Sequence, residues 1–168
     1  MSFDHPAFSD STSLDSVASV NQLEQDRALF VGAKYESYYQ AQFEKITPKK
    51  QYAGFNIAAF FLGVVWLFYR KMYSYGFMAI GLIVAIGIVE ILLGIESSGA
   101  NIGLAVAFGM FGNTLYKHHV DQQITKIRQL GTGSVHTELE KRGGTNLIVG
   151  SILLVIWLGL VALAISAS

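Results

Sequence analysis

Four stretches of the chain contain no Asp, Glu, Lys or Arg: residues 51–69, 72–89, 97–116 and 143–168. A helix crossing the hydrocarbon core of a bilayer needs roughly 20 mostly apolar residues, and the last three stretches reach or approach that length. Charged residues make up 14% of the 168 positions, against about 25% in a soluble domain. So many long apolar runs in so short a chain point to an all-α integral membrane protein.

The first run is the awkward one. Its clean apolar part, residues 55–69 (FNIAAFFLGVVWLFY), ends on Arg70 and Lys71. As a helix it spans about 22 Å, short of the roughly 30 Å of hydrocarbon. Charge adds to the argument, because basic residues near span ends favour the cytoplasmic side. Lys117, Lys126, Arg128, Lys141 and Arg142 lie in 117–142, and the turn at 96–98 has only Glu96. If 55–69 crossed fully, Lys45, Lys49 and Lys50 would face outward. If it enters and returns, or lies in the interface, every basic cluster stays inside. The expectation is three transmembrane helices plus one short re-entrant or interfacial hydrophobic helix; the alternative is four transmembrane helices.

The organisation follows. Residues 1–20, rich in Ser and Asp, read as a disordered tail. Residues 21–50 read as helical segments at the membrane surface, with Asn21 and Glu24 as a capping box and Gly32 as a break. The aromatics Tyr35, Tyr38, Tyr39 and Phe43 lie among headgroups or pack on the rest of the protein. Residues 51–71 hold the re-entrant or first membrane helix, 72–116 a transmembrane hairpin, and 117–142 an amphipathic segment whose Val120, Ile124, Ile127 and Leu130 recur at helical spacing. Residues 143–168 hold the last transmembrane helix. The N-terminus has no signal-sequence pattern. The termini are expected to be cytoplasmic (N) and external (C).

Small and polar residues mark candidate helix contacts: Asn56, Ala59 and Gly63 on the first segment, and Gly99, Gly103, Gly109, Gly112 and Asn113 on the third. The amide of Asn56 needs a partner, such as a backbone carbonyl, Asn113 or Tyr116. Trp66, Tyr69, Arg70, Lys71, Tyr73 and Tyr116 read as interface anchors. Glu90 stands inside the second span and is a candidate polar relay or an anchor at the outer surface. There is no cysteine, and His118, His119 and His136 have no metal-site spacing. No catalytic residue, metal or cofactor is expected, and the scattered basic residues do not make a nucleic-acid surface.

The stretches FVGAKYESYYQAQFEKI, FNIAAFFLGVVWLFYRKMY and GMFGNTLYKHHVDQQI resemble a bacterial membrane-protein family known as domain of unknown function 2628. The matching positions are Phe30, Gly32, Tyr38 and Tyr39, then Phe55, Asn56, Ala59, Phe60, Gly63, Trp66, Tyr69, Arg70, Lys71, Met72 and Tyr73, then Gly109, Gly112, Asn113, Tyr116 and His119. The likeness covers roughly residues 29–128. That family often has proline after the glycine of the middle segment; Val64 stands there, which leaves a continuous helix open. The resemblance implies a bacterial inner membrane and no activity or ligand.

Two functional readings remain. One is a non-enzymatic protein that binds or organises a membrane partner, with amphipathic helices at 21–46 and 119–130 as docking elements. The other is an oligomeric small transporter or channel subunit that uses Glu90, Asn56 and Asn113 as polar steps. Membrane lipids are partners in both, and a homo-oligomer fits either. Both predict that the untagged protein stays with the membrane through a carbonate wash. Its recovery in the soluble fraction without detergent would contradict the class.

Overall fold

The computed structural model describes residues 11–95, 99–131 and 133–166. The turn expected at 96–98, the first ten residues of the expected tail and the last two residues of the chain lie outside them. The described residues form an all-helical protein: α1 (Ser11–Val31), a π-turn (Tyr35–Tyr39), α2 (Gln40–Lys45), α3 (Ile57–Leu62), α4 (Val64–Tyr69), α5 (Tyr73–Leu93), α6 (Gly99–Leu130), α7 (Val135–Arg142) and α8 (Leu147–Ser166).

Two expectations change at once. Residues 11–20 are not a tail but the first turns of α1, so Asn21 lies inside a helix and caps nothing. Glu24 instead accepts hydrogen bonds from Arg27 and from the Tyr35 hydroxyl. The expected boundary at 116/117 falls in the middle of α6, because no glycine or proline interrupts residues 113–130. At 32 residues α6 is about 48 Å long, so its polar half extends well beyond the membrane-length part.

The polar half has an ordinary protein core. Phe30, Val31, Tyr35, Tyr39 and Phe43 close on Tyr116, Val120, Ile124 and Ile127 of α6, and Leu139 of α7 joins them. Ion pairs fix α1 against α6. Arg27 grips Asp121 with two parallel bonds of 2.8 Å and reaches Glu24 at 2.6 Å, and Arg128 pairs with the buried Asp26 at 2.6 Å. Burial opposes the charge on Arg27, yet Asp121 and Glu24 outweigh it and hold its pKa above the ordinary range. The apolar faces expected to dock a partner therefore pack on each other, and the aromatics of 35–43 are in this core, not among headgroups.

The apolar half is turned inside out. Among the described residues two stretches are long and apolar enough to cross a membrane, α5 and Val135–Leu163, which contains most of α8; only 11% and 6% of their best apolar windows are buried. A core helix of a soluble protein would be covered, whereas here Ile91 is 82% and Leu92 78% exposed. The upper part of α6 falls below that hydropathy because Asn101, Asn113 and several glycines dilute it.

Between the two halves sits the awkward first run. It is neither a continuous helix nor a flat one. Asn56 caps α3, Gly63 breaks the chain with φ 44° and ψ −111°, and α4 follows. The break is made by glycine, which tolerates positive φ, and needs no proline. Both ends meet the same turns of α6. At the entry, the Asn56 backbone N–H donates to Gly109 at 2.7 Å, and the Gln51 carbonyl accepts from Thr114. At the exit, the Trp66 ring packs on Tyr116. The turn at Gly63 faces Phe108. Helix α4 ends in a Schellman motif: Met72 N–H reaches the Leu67 carbonyl and Lys71 N–H the Phe68 carbonyl. Its left-handed position is filled by Lys71, φ 58°, where glycine is usual. The Lys71 ammonium offsets that strain by donating to the Lys141 and Gly143 carbonyls.

Helix α3 lies so close to α6 that a Cβ on Gly112 would stand 2.8 Å from the Ala59 Cβ, and one on Gly109 would enter the Phe55 ring. A Cβ on Gly81 of α5 would meet nothing. The substitution Gly112→Ala should therefore lower the melting temperature in detergent, by the equivalent of about 1–3 kcal/mol of overpacking. Gly81→Ala should leave it unchanged or raise it. Equal shifts for the two would contradict the packing described.

Candidate functional site

Polar and aromatic side chains gather where the α3–α4 segment begins and ends. At the entry, Asn56 uses its whole amide. Its Oδ1 accepts from Ala59 N–H at 2.9 Å, and its Nδ2 donates to Asn113 Oδ1 at 2.9 Å. Asn113 Nδ2 donates in turn to the Tyr38 hydroxyl at 3.2 Å, and both asparagines are buried. The π-turn aims Tyr38 here: Tyr39 N–H bonds the Lys34 carbonyl five residues back, so one turn presents Tyr38 and Tyr39 in different directions.

At the exit, Arg70 caps α4 and is 6% exposed. Its guanidinium carbon lies 4.6 Å from the Tyr39 ring centre, 5.1 Å from Tyr116 and 5.6 Å from Tyr69. No carboxylate pairs with it among the described residues. Among the described residues its Nε has no hydrogen-bond partner, and the hydroxyl of the wholly buried Tyr116 has no acceptor for its own proton. Lys117, one position on, donates to the Phe43 and Ile46 carbonyls at 2.8 and 2.9 Å. Burial lowers its pKa and pushes the Tyr39 phenol up.

The expected anchors are thus divided. Trp66, Arg70 and Tyr116 are interior groups, because the α3–α4 segment folds back and brings Trp66 and Arg70 against Tyr116 of α6. Tyr69 is half-buried against α8, where a Cβ on Gly150 would come within 2.9 Å of its ring. Tyr73 is exposed and accepts from Asn146 at 2.9 Å. Of the expected helix contacts, Asn56, Ala59, Gly63, Gly109, Gly112 and Asn113 come together between α3 and α6. Gly99 and Gly103 do not: among the described residues nothing lies within 4 Å of a Cβ at either. Glu90 lines a separate apolar groove with Ala85, Ile86, Val89, Ile95, Gly99 and Ala100. On α6 that groove is 13 residues from Asn113, or about 20 Å.

Sequence reasoning missed the tyrosine cage. Tyr39, Arg70 and Tyr116 are far apart in the chain, and the adjacent lysine made Arg70 look like a surface cation. His119, named in the sequence as a family-matching position without metal-site spacing, is buried between Phe30 of α1 and Tyr75 of α5 with ring centres 6.1 and 6.0 Å away.

These features define a helical, membrane-associated protein whose bent central segment is clasped by a polar and aromatic base. Residues 19–122 match the family described as "Protein of unknown function (DUF2628)", and the chain belongs to that family. The match covers α1 to the middle of α6 and so includes the whole base. No curated protein and no solved structure matches the chain.

Two outcomes follow from the geometry. Asn56→Ala and Asn113→Ala should each cost about 1–3 kcal/mol, since each orphans a buried partner. In a double-mutant cycle they should couple by at least about 0.5 kcal/mol, and simple additivity would contradict the pairing. His119 gives a pH signature. Burial, then Lys126 and His118, lowers its pKa from 6.5 to about 4. The unfolded chain binds this proton below about 6.5 and the folded chain only near 4. Stability is therefore full above that window and falls as pH drops through it. His119→Leu should flatten the fall in melting temperature between pH 6.5 and 4; an unchanged slope would contradict the assignment.

Proposed function

We propose that the chain is a non-enzymatic protein of the bacterial inner membrane that crosses three times, through α5, α6 and α8, and binds a transmembrane helix of another membrane protein. In this reading α3–α4 is re-entrant: it enters and leaves by the cytoplasmic face. The N-terminus and the polar half are cytoplasmic and the C-terminus is external. The topology is supported by the common level of the two ends of α3–α4. Entry meets Gly109, Asn113 and Thr114, exit meets Tyr116, and the turn reaches only Phe108. The cleft around that turn extends to Asn101. From Tyr116 to the level of residues 104–108 is about 12–18 Å along α6, roughly half the hydrocarbon thickness. The cation distribution favours the same placement.

The observation that carries the binding role is the space beyond the turn. Helices α5 and α8 pack on α4, and α6 packs on α3, but α5, α6 and α8 make at most slight contact with one another among the described residues. They leave a cleft of 390 Å³ above Gly63, walled by Ile83 of α5, Asn101, Ala105 and Phe108 of α6 and Trp157 of α8. Within a bilayer, helices associate by close van der Waals packing and interhelical hydrogen bonds. Small residues in that lining, Gly63 and Ala105, let a partner helix approach closely. The apolar faces of the two amphipathic helices are covered within the chain and leave no docking surface there.

A transporter path gains less support. Asn56 hydrogen-bonds Asn113, and the stretch of α6 between Asn113 and the Glu90 groove carries the apolar Leu104 and Phe108, which line the cleft. The polar groups gathered at the base include no nucleophile with an adjacent base.

Single cysteines at Ser19, Ser97 and Ser134 test the topology in intact cells with a membrane-impermeant thiol reagent. Only Ser97→Cys should label; labelling of Ser19→Cys would establish an external N-terminus and overturn the re-entrant reading. For the binding role, photo-reactive residues at Ala105 and Ile83 should capture a polypeptide in native membranes, and one at the lipid-facing Leu158 should not. Capture of lipid alone at all three would contradict a helix partner.

A further inference from the structure

We propose that the cage of Arg70, Tyr39, Tyr69 and Tyr116 holds a phosphate-type oxyanion, and that the α4–α8 cleft beside it takes the chain of the phospholipid that carries it. The inference deepens the membrane reading above but does not rest on the number of crossings.

The cage is rich in donors and poor in acceptors. Arg70 is 94% removed from solvent; the rings of Tyr39, Tyr69 and Tyr116 cover its guanidinium, and the Tyr39 and Tyr116 hydroxyls interact with it as neutral groups that bring no negative charge. The in-plane N–H groups need acceptors, and Nε has none. The Tyr116 hydroxyl, wholly buried, has no acceptor for its own proton among the described residues. Two orphaned donors in one buried place are what an ordered acceptor would satisfy. The charge points the same way. Lys71 and Lys117 bond only backbone carbonyls, and the ion pairs of the described residues involve none of the three cations. The phenols do not supply the missing charge, because burial pushes Tyr39 up and keeps it neutral. An oxyanion accepts from several donors at once and carries the opposite charge, and Arg is suited to phosphate.

The source is indicated by the outer wall. Tyr39 and Tyr116 are buried, but Tyr69 is half-exposed. A cleft of 250 Å³ between α4 and α8 ends on Tyr69, and its other walls are Leu62, Val65, Leu147, Gly150, Ser151 and Leu154. Apart from one serine it is apolar, so it suits an acyl chain whose phosphate lies at the cage. Inorganic phosphate shares the headgroup chemistry but has no use for the cleft.

The test uses the full chain, purified in mild detergent and freed of lipid. Its melting temperature is followed against phosphatidylglycerol, inorganic phosphate and a glycosyl diacylglycerol, which has chains but no phosphate. The expected result is a saturable rise of several degrees with phosphatidylglycerol and none with the glycolipid. An equal rise with inorganic phosphate would retain the oxyanion and overturn the lipid source. No rise with either phosphate compound would overturn the proposal and leave a cage filled by water. Arg70→Gln should abolish the rise. If that variant does not fold, Tyr116→Phe decides, because it keeps the ring over the guanidinium and removes only the hydroxyl. It should weaken phosphatidylglycerol binding at least about threefold, and unchanged binding would overturn the assignment.

Discussion

A helix broken in an apolar setting frees backbone donors and acceptors that lipid does not satisfy, and every irregular turn at membrane depth must be covered by protein. The rest of this fold answers that constraint at Gly63. The Asn56 side chain caps the first orphaned N–H groups of α3, and Asn113 holds the cap in place. The Gly63 N–H still reaches the Ala59 carbonyl, and its own carbonyl accepts from Leu67. At the far end the Schellman motif closes α4, and Lys71 ties it to the segment before α8. Each device brings a neighbour with it, so the short broken segment becomes the body on which the longer helices are mounted.

Glycine on α6 makes that mounting close. Without a Cβ at 109 and 112, the entry of α3 comes down onto the α6 backbone, and the Asn56 N–H bonds directly to Gly109. The same approach draws Tyr38, Tyr39 and Arg70 into one base with Asn113 and Tyr116. The polar half then seals it: α1, the π-turn and α7 wrap the extension of α6, and Gly144 N–H donates to the Phe30 carbonyl beside the start of α8.

Much of this was legible in the sequence. The absence of charge over 72–89 and 143–168 marks α5 and α8, because a long apolar helix with at most one ionic group and no amphipathic stripe suits lipid. The small-residue spacing of Asn56, Ala59, Gly63, Gly109 and Gly112 marks the α3–α6 contact. What was not legible depends on tertiary contacts. An Asp-containing, serine-rich stretch continues as helix through 11–20 because α1 is anchored further on by Arg27 and Asp26. The lysine after Arg70 suggested two surface cations, yet the turn sends one to backbone carbonyls and buries the other among tyrosines. Gly99 and Gly103 have the spacing of a packed strip but, among the described residues, nothing in close contact with them, since spacing records what can approach and not what does.

The central claim is that 51–73 enters and leaves at one level. The chain has no cysteine, and Tyr52 and Tyr73 are both exposed. Spin labels at Tyr52→Cys and Tyr73→Cys in lipid bilayers should give a dipolar distance well short of the roughly 30 Å hydrocarbon thickness. A distance of that thickness or more would mean that the segment carries the chain across, and would contradict the account.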